Sequence, residues 1–113
     1  MSGASEPGTT GGPGQSRDAE VRRGRIRRRV IYHGHVQGVF FRATAAELAQ
    51  NFAVAGFVRN RSDGTVELEV EGLVGAVEGL LAAVAAHYRP NISRTEIADV
   101  PLQKGERDFR VRY

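Results

Sequence analysis

Two stretches of this chain hold side chains that could do chemistry together. In GHVQGVFFR (34–42), Gly34 and Gly38 lie among bulky apolar residues, and Arg42 closes the run. Further on, Asn60 stands between Arg59 and Arg61. An arginine carries a planar guanidinium that can grip two oxygens of a phosphate or carboxylate. An asparagine accepts through its carbonyl oxygen and donates through its amide, so it can orient a water but cannot act as a strong base. Glycines let the main chain curl until successive N–H groups point inward and form an anion-binding concavity. The set suits a small tetrahedral dianion. It also suits a plain glycine turn with an exposed arginine, and spacing alone leaves both readings open. The familiar phosphate fingerprints do not apply. No Lys-Ser/Thr follows Gly38 as in a Walker A loop, and no G-x-G-x-x-G is present.

These residues need elements to position them. RRRVIYH (27–33) is rich in β-branched and aromatic residues and reads as a strand. Phe41, Ala45, Leu48, Ala49 and Phe52 recur at helical spacing, with Gly56 as the expected stop. Residues 56–61 read as a second strand. Asp63-Gly64 signals a hairpin with a type I′ turn. TVELEVE (65–71) alternates Val66, Leu68 and Val70 with Glu67, Glu69 and Glu71, which predicts one dry face and one solvated face. A second helix is predicted over about 74–88, with Val74, Val77, Leu81, Val84 and Tyr88 as its stripe and Pro90 and Asn91 ending it. Residues 92–100 and 108–113 are further strands. The order β-α-β-β-α-β plus a short last strand predicts an α+β, ferredoxin-like split βαβ fold, an antiparallel sheet with two helices on one face. In that topology the loop after the first strand, the N-terminus of the first helix and the end of the second strand meet at one edge. Residues 34–41 and Asn60 should therefore be neighbours. Val39, Phe40 and Phe41 precede the helix and none can cap it, which leaves its N–H groups for another acceptor.

The totals bound the rest. A chain of 113 residues holds one domain, expected over 26–113. Residues 1–25, rich in Gly, Ser, Thr and Pro, bury too little to fold and read as a disordered tail. With no cysteine there is no disulfide framework and no thiolate nucleophile or ligand. No apolar run suggests a membrane span or a secretory signal, so a cytoplasmic protein is expected, and its size with no obvious extra apolar face suggests a monomer. The net charge is +3, and Arg22, Arg23, Arg25, Arg27, Arg28 and Arg29 form a cluster. No aromatics interleave with it to stack bases, and the 65–71 strand displays acids, so nucleic acid is disfavoured. The cluster is expected to be a solvated tail running into an exposed strand. His33 and His35 could share a strand face but lack a third ligand, so no metal site is expected. Gln37 is expected to shape the loop, Phe41 to join the core, and Phe40 to stand half exposed.

At this point GHVQGVFFR, followed by GFVRNRSDGTVELEVEG, strongly resembles the acylphosphatase family. The family signature has the form G-x-V-Q-G-V-x-F-R, then G-[WF]-V-x-N and an x-G-T-V hairpin. The closing FRVRY is similar to the family's last strand. The resemblance covers roughly 27–113, and its departures, Phe57 where Trp is frequent and HYRPNIS after the second helix, lie away from the signature residues. It implies sheet order 4-1-3-2-5. It implies that Arg42 binds phosphate, that Asn60 holds the attacking water, and that the backbone N–H groups of Gln37, Gly38, Val39, Phe40, Phe41 and Arg42 cradle the anion. The activity implied is hydrolysis of a small-molecule acyl phosphate to a carboxylate and inorganic phosphate, without metal or organic cofactor. The alternative is a catalytically silent anion- or RNA-binding module of the same fold.

Overall fold

The two-residue period of Val66, Leu68 and Val70 can be satisfied only by a strand with one face in a core, because a slip of one residue would turn the apolar set to solvent. In the computed structural model, which describes residues 24–113, all three are fully buried at the centre of a five-stranded sheet. The chain runs β1 (Arg25–Gly34), α1 (Phe41–Ala49), β2 (Val54–Asn60), β3 (Val66–Leu73), α2 (Val74–Tyr88), β4 (Ile92–Asp99) and β5 (Phe109–Arg112). The sheet order is β4-β1-β3-β2-β5. β1 to β4 pair antiparallel as the pattern predicts, and the short β5 adds a parallel pair with β2. Both helices pack on one face, where Phe41, Ala45, Val77, Leu80 and Val84 join Val30, Val58 and the β3 valines in a single core. The expectation for residues 1–23 lies outside the described residues; Gly24 is in a turn, and Arg25, expected to belong to the tail, begins β1 instead.

Several local expectations shift. The helix predicted to run through Phe52 ends at Ala49, and Gly56 lies inside β2 rather than stopping a helix. Leu80, not Leu81, is the fully buried leucine of α2, with Leu81 only partly covered. The β2–β3 connection is not a type I′ turn, because Gly64 has φ 91° but Asp63 does not adopt positive φ. A three-residue loop closes instead, with Arg61 N donating to Thr65 O at 2.9 Å and Gly64 N to Arg61 O at 3.2 Å. The Asp63 carboxylate accepts from the Thr65 hydroxyl and from its N–H, which holds its pKa below the usual carboxylate value and favours this loop over the tighter one.

The largest correction concerns the glutamates of β3. Glu67 and Glu71 are buried and Glu69 is half-buried. The sheet register sets Arg27 opposite Glu71 and Arg59 opposite Glu67. Arg27, 1% exposed, donates to Glu69 at 2.7 Å, to Glu71 at 3.1 Å and to Glu106 at 2.7 Å. Arg59 donates to Glu67 at 2.7 Å, and Arg25 to Glu71 at 3.1 Å. The segment between β4 and β5 then lies across this face, with Val100 N bonded to Arg27 O and Gln103 N to the Glu71 carboxylate. Thus part of the arginine cluster belongs to a covered ionic layer. Arg22 and Arg23 lie outside the described residues.

Around Arg27 such a layer is costly to break rather than strongly stabilising in itself, since its guanidinium and the Glu71 carboxylate have given up their water, whereas Arg25 and Arg59 keep part of theirs. The Nη2 of Arg27 is buried without a partner among the described residues, which adds to that cost. Arg27→Met, which leaves three carboxylates facing an apolar chain, should lower stability in urea by about 3–5 kcal/mol. Burial alone would raise the Glu71 pKa, but the bonds from Gln103 N, Arg27 and Arg25 outweigh it and hold the carboxyl below its ordinary value. Its contribution to stability is therefore complete above the unfolded-state glutamate pKa of about 4.3 and is lost as pH falls through the lower folded value. Urea titrations across that range should show a drop with falling pH that is smaller in Glu71→Gln.

Candidate active site

The stretch between β1 and α1 is anchored before it curls. Gly34 sits where β1 shifts register against the start of β4, and a Cβ there would lie 2.3 Å from Asn91 O, so only glycine lets the strands approach. His35 N donates to Asn91 O at 2.9 Å. The Gln37 side-chain amide donates to Arg61 O at 2.8 Å and to Thr65 O at 2.9 Å, which ties the loop to the β2–β3 hairpin and bears out its loop-shaping part. Gly38 and Phe40 then take left-handed conformations, φ 76° and φ 62°, on either side of Val39. For a bulky side chain such as Phe40 this costs roughly 1–2 kcal/mol relative to glycine.

α1 begins with Phe40 as its N-cap and no side-chain cap. Among the described residues, no backbone carbonyl accepts from the N–H groups of residues 37–43, and the first donor of the helix to find one is Thr44 N, to Phe40 O at 2.9 Å. A run of N–H groups without backbone acceptors at a helix N-terminus carries partial positive charge. Phe41 plugs the loop into the core, its ring 5.0 Å from Tyr32 and stacked at 4.5 Å on Tyr88. The burial that makes room for this stack pushes the Tyr32 hydroxyl well above its ordinary pKa. The Tyr88 hydroxyl donates to Val39 O at 2.8 Å and shares a bond of 3.0 Å with the Thr44 hydroxyl, which couples α2 to both the loop and the first turn of α1.

Arg42 and Asn60, remote in sequence, line one cleft of ≈280 Å³ together with Gly38, Val111 and Tyr113. Arg42 leaves the first turn of α1 and rests its guanidinium 4.6 Å over the Tyr113 ring. Asn60 is the last residue of β2, half-buried. Arg59, next to it, turns to the other face of the sheet and is engaged by Glu67. The topology thus brings Gly38, Phe40, Phe41, Arg42 and Asn60 to one cleft, while Gln37 and Val39, also singled out in the sequence, do not line it. Tyr88, Val111 and Tyr113 were not foreseen as its neighbours. A tyrosine ending an otherwise aliphatic helical stripe was a usable signal, because its hydroxyl must find a partner at the edge of a core. His33 and His35 do not share a strand face: His33 is on β1 beside Glu96 at 2.8 Å, while His35 lies in the loop. Two other depressions, near residues 104–112, hold Glu106 and Asp108 with arginines, and Arg110 is already paired with Asp108 at 2.9 Å.

The family model described as Acylphosphatase matches residues 28–111. The chain belongs to the acylphosphatase family. Among curated relatives, an acylphosphatase of Rubrobacter xylanophilus is 44% identical over 87 residues, covering 74% of this chain and 77% of the relative. The solved acylphosphatase of Coxiella burnetii superposes with TM-score 0.70 at 28% identity, over 80% of this chain and 96% of that one. That of Bacillus subtilis gives TM-score 0.69 at 29% identity, over 78% and 99%. These solved relatives share the α+β arrangement of sheet and helices described above.

The ties that hold the loop can be tested separately from its chemistry. Tyr88→Phe keeps the ring stack and removes the hydroxyl. It should cost about 1 kcal/mol in urea unfolding and should also weaken inorganic phosphate binding measured by calorimetry, since the Val39 carbonyl loses its anchor. Gln37→Leu, which frees the loop from the hairpin, should weaken phosphate binding in the same assay.

Proposed function

We propose that this domain is an acylphosphatase that holds the substrate phosphate in the main-chain cradle of residues 37–42 and orients the attacking water with Asn60. The observation that carries the reading is that Gly38, Phe40, Phe41 and Ala43, whose N–H groups have no backbone acceptor among the described residues, line the cleft that also holds Arg42 and Asn60. A phosphate seated there takes several N–H bonds while Arg42 moves from the Tyr113 ring onto two of its oxygens. The water oxygen bonds to phosphorus as the bond from phosphorus to the acyl oxygen breaks. The carboxylate leaves, and the products are R–COO⁻ and H₂PO₄⁻. Asn60 accepts a hydrogen bond from the water and fixes its line of attack. The water's proton passes to a phosphate oxygen, because Asn60 cannot take it. The anhydride is already activated, so positioning and charge stabilisation suffice. No step here calls on a metal or an organic cofactor. We further expect a cytoplasmic monomer acting on free, small-molecule acyl phosphates. The family membership and the named relatives support this reading over a silent anion- or RNA-binding module.

Phosphate release from benzoyl phosphate and acetyl phosphate, with EDTA present, tests the reading. The wild type should turn over both. Arg42→Ala and Asn60→Ala, shown folded by circular dichroism, should each lose about 10²-fold or more in kcat, as when a transition-state hydrogen-bond donor is removed elsewhere. A folded wild type no faster than the uncatalysed reaction would leave the silent-module reading standing.

A further inference from the structure

We infer that Phe40 and Tyr113 form a subsite for the acyl group and give the enzyme a preference for aromatic over small aliphatic acyl phosphates. The inference rests on the acylphosphatase reading of the same cleft and adds the residues that would choose its substrate.

Phe40 stands in the wrong place for a purely structural residue. Its backbone is left-handed, with φ 62°, a conformation that glycine adopts freely and a bulky side chain does not. Its ring contributes almost nothing to the core, being 82% exposed, whereas the adjacent Phe41 is buried. The curl of the loop therefore explains the backbone at position 40 but not the phenyl group. Neither folding nor the N–H cradle requires that ring. What the ring does is line the cleft that holds Arg42 and Asn60.

A second exposed aromatic lines the same cleft. Tyr113 is 99% exposed, and Arg42 lies over its face at 4.6 Å. Of the large hydrophobic side chains exposed among the described residues, two, Leu73 and Ile97, lie elsewhere, and the other two are these rings. The apolar lining is Val36 and Phe41, both buried beneath the cleft, with Ala43, Val111 and the two exposed rings, so with the phosphate at Gly38 and Arg42 the large apolar surfaces open to an acyl group are those of Phe40 and Tyr113. An acetyl group is too short to cover them. A benzoyl group presents a flat apolar face of the kind that aromatic side chains stack against or meet edge-on. A charged or strongly hydrated acyl group would lose water there without gaining a partner.

The test compares affinity for benzoylphosphonate and acetylphosphonate, in which phosphorus is bonded directly to the acyl carbon so that neither can be hydrolysed. The readout is the ratio of the two dissociation constants, which cancels any effect of a substitution on the phosphate cradle itself. Wild type should prefer benzoylphosphonate. Phe40→Gly should lower that preference about fivefold, the scale of one aromatic contact, and Phe40→Trp should retain it. Tyr113→Leu should lower it as well. A wild type without preference, or a ratio unchanged in Phe40→Gly, overturns the subsite. So does failure of the wild type to bind either phosphonate. Turnover of benzoyl phosphate by the same wild-type sample separates the two readings: a clear, Phe40-dependent preference without turnover would keep the acyl subsite and remove the hydrolase reading.

Discussion

The stretch between β1 and α1 has little of its own to hold its shape. Among the described residues no backbone carbonyl accepts from the N–H groups of residues 37–43, and the left-handed Phe40 adds strain. Every element around residues 35–41 can be understood as a restraint on that arrangement. β4 is drawn close enough at Gly34 for Asn91 to hold His35 N. The β2–β3 hairpin lends two carbonyls to the Gln37 amide. α2 reaches across with the Tyr88 hydroxyl, and the core takes the Phe41 ring. The loop is therefore fixed at both ends and in the middle by four different parts of the chain.

The two faces of the sheet are solved by different physics. The helix side is an apolar core of branched and aromatic side chains. The other side carries rows of arginines and glutamates that meet across the strands and are then covered by residues 100–108. Buried ion pairs add less stability than apolar contacts of equal size, but they tolerate no wrong partner. Register on this face is set by charge and on the other by size. The two agree, which holds β2 in place and with it Asn60 at the end of the strand.

How much of this could be read from the sequence depended on the range of the interaction. The order of elements, the sheet order and the meeting of Gly38, Arg42 and Asn60 followed from local periodicity, from the constraints on βαβ connections and from the family signature. The glutamates of β3 were misjudged because alternation reports only that two faces differ. Whether the polar face meets water or Arg27 and Glu106 depends on strands far away in sequence. Asp63-Gly64 misled for the opposite reason, a contact more local than the pattern used: the bond from Thr65 back to Asp63 selects a longer loop. Tyr88 was visible as a helical apolar residue, but its hydroxyl's partners were not.

The strand order carries a further consequence, in time rather than in space. Of the four strand pairings in this sheet, only β2 with β3 joins neighbours along the chain. β1 waits for β3 and β4, and β5 must return to β2 before Val111 and Tyr113 reach the cleft. Each such closure gives up chain entropy before its contacts compensate, so folding is governed by non-local encounters and is slow for a domain of this size. During synthesis, residues 34–73 can leave the ribosome with helix and hairpin formed and still have no complete cleft. Catalytic competence would then appear as a late event in folding, and its onset would report the arrival of the last strand.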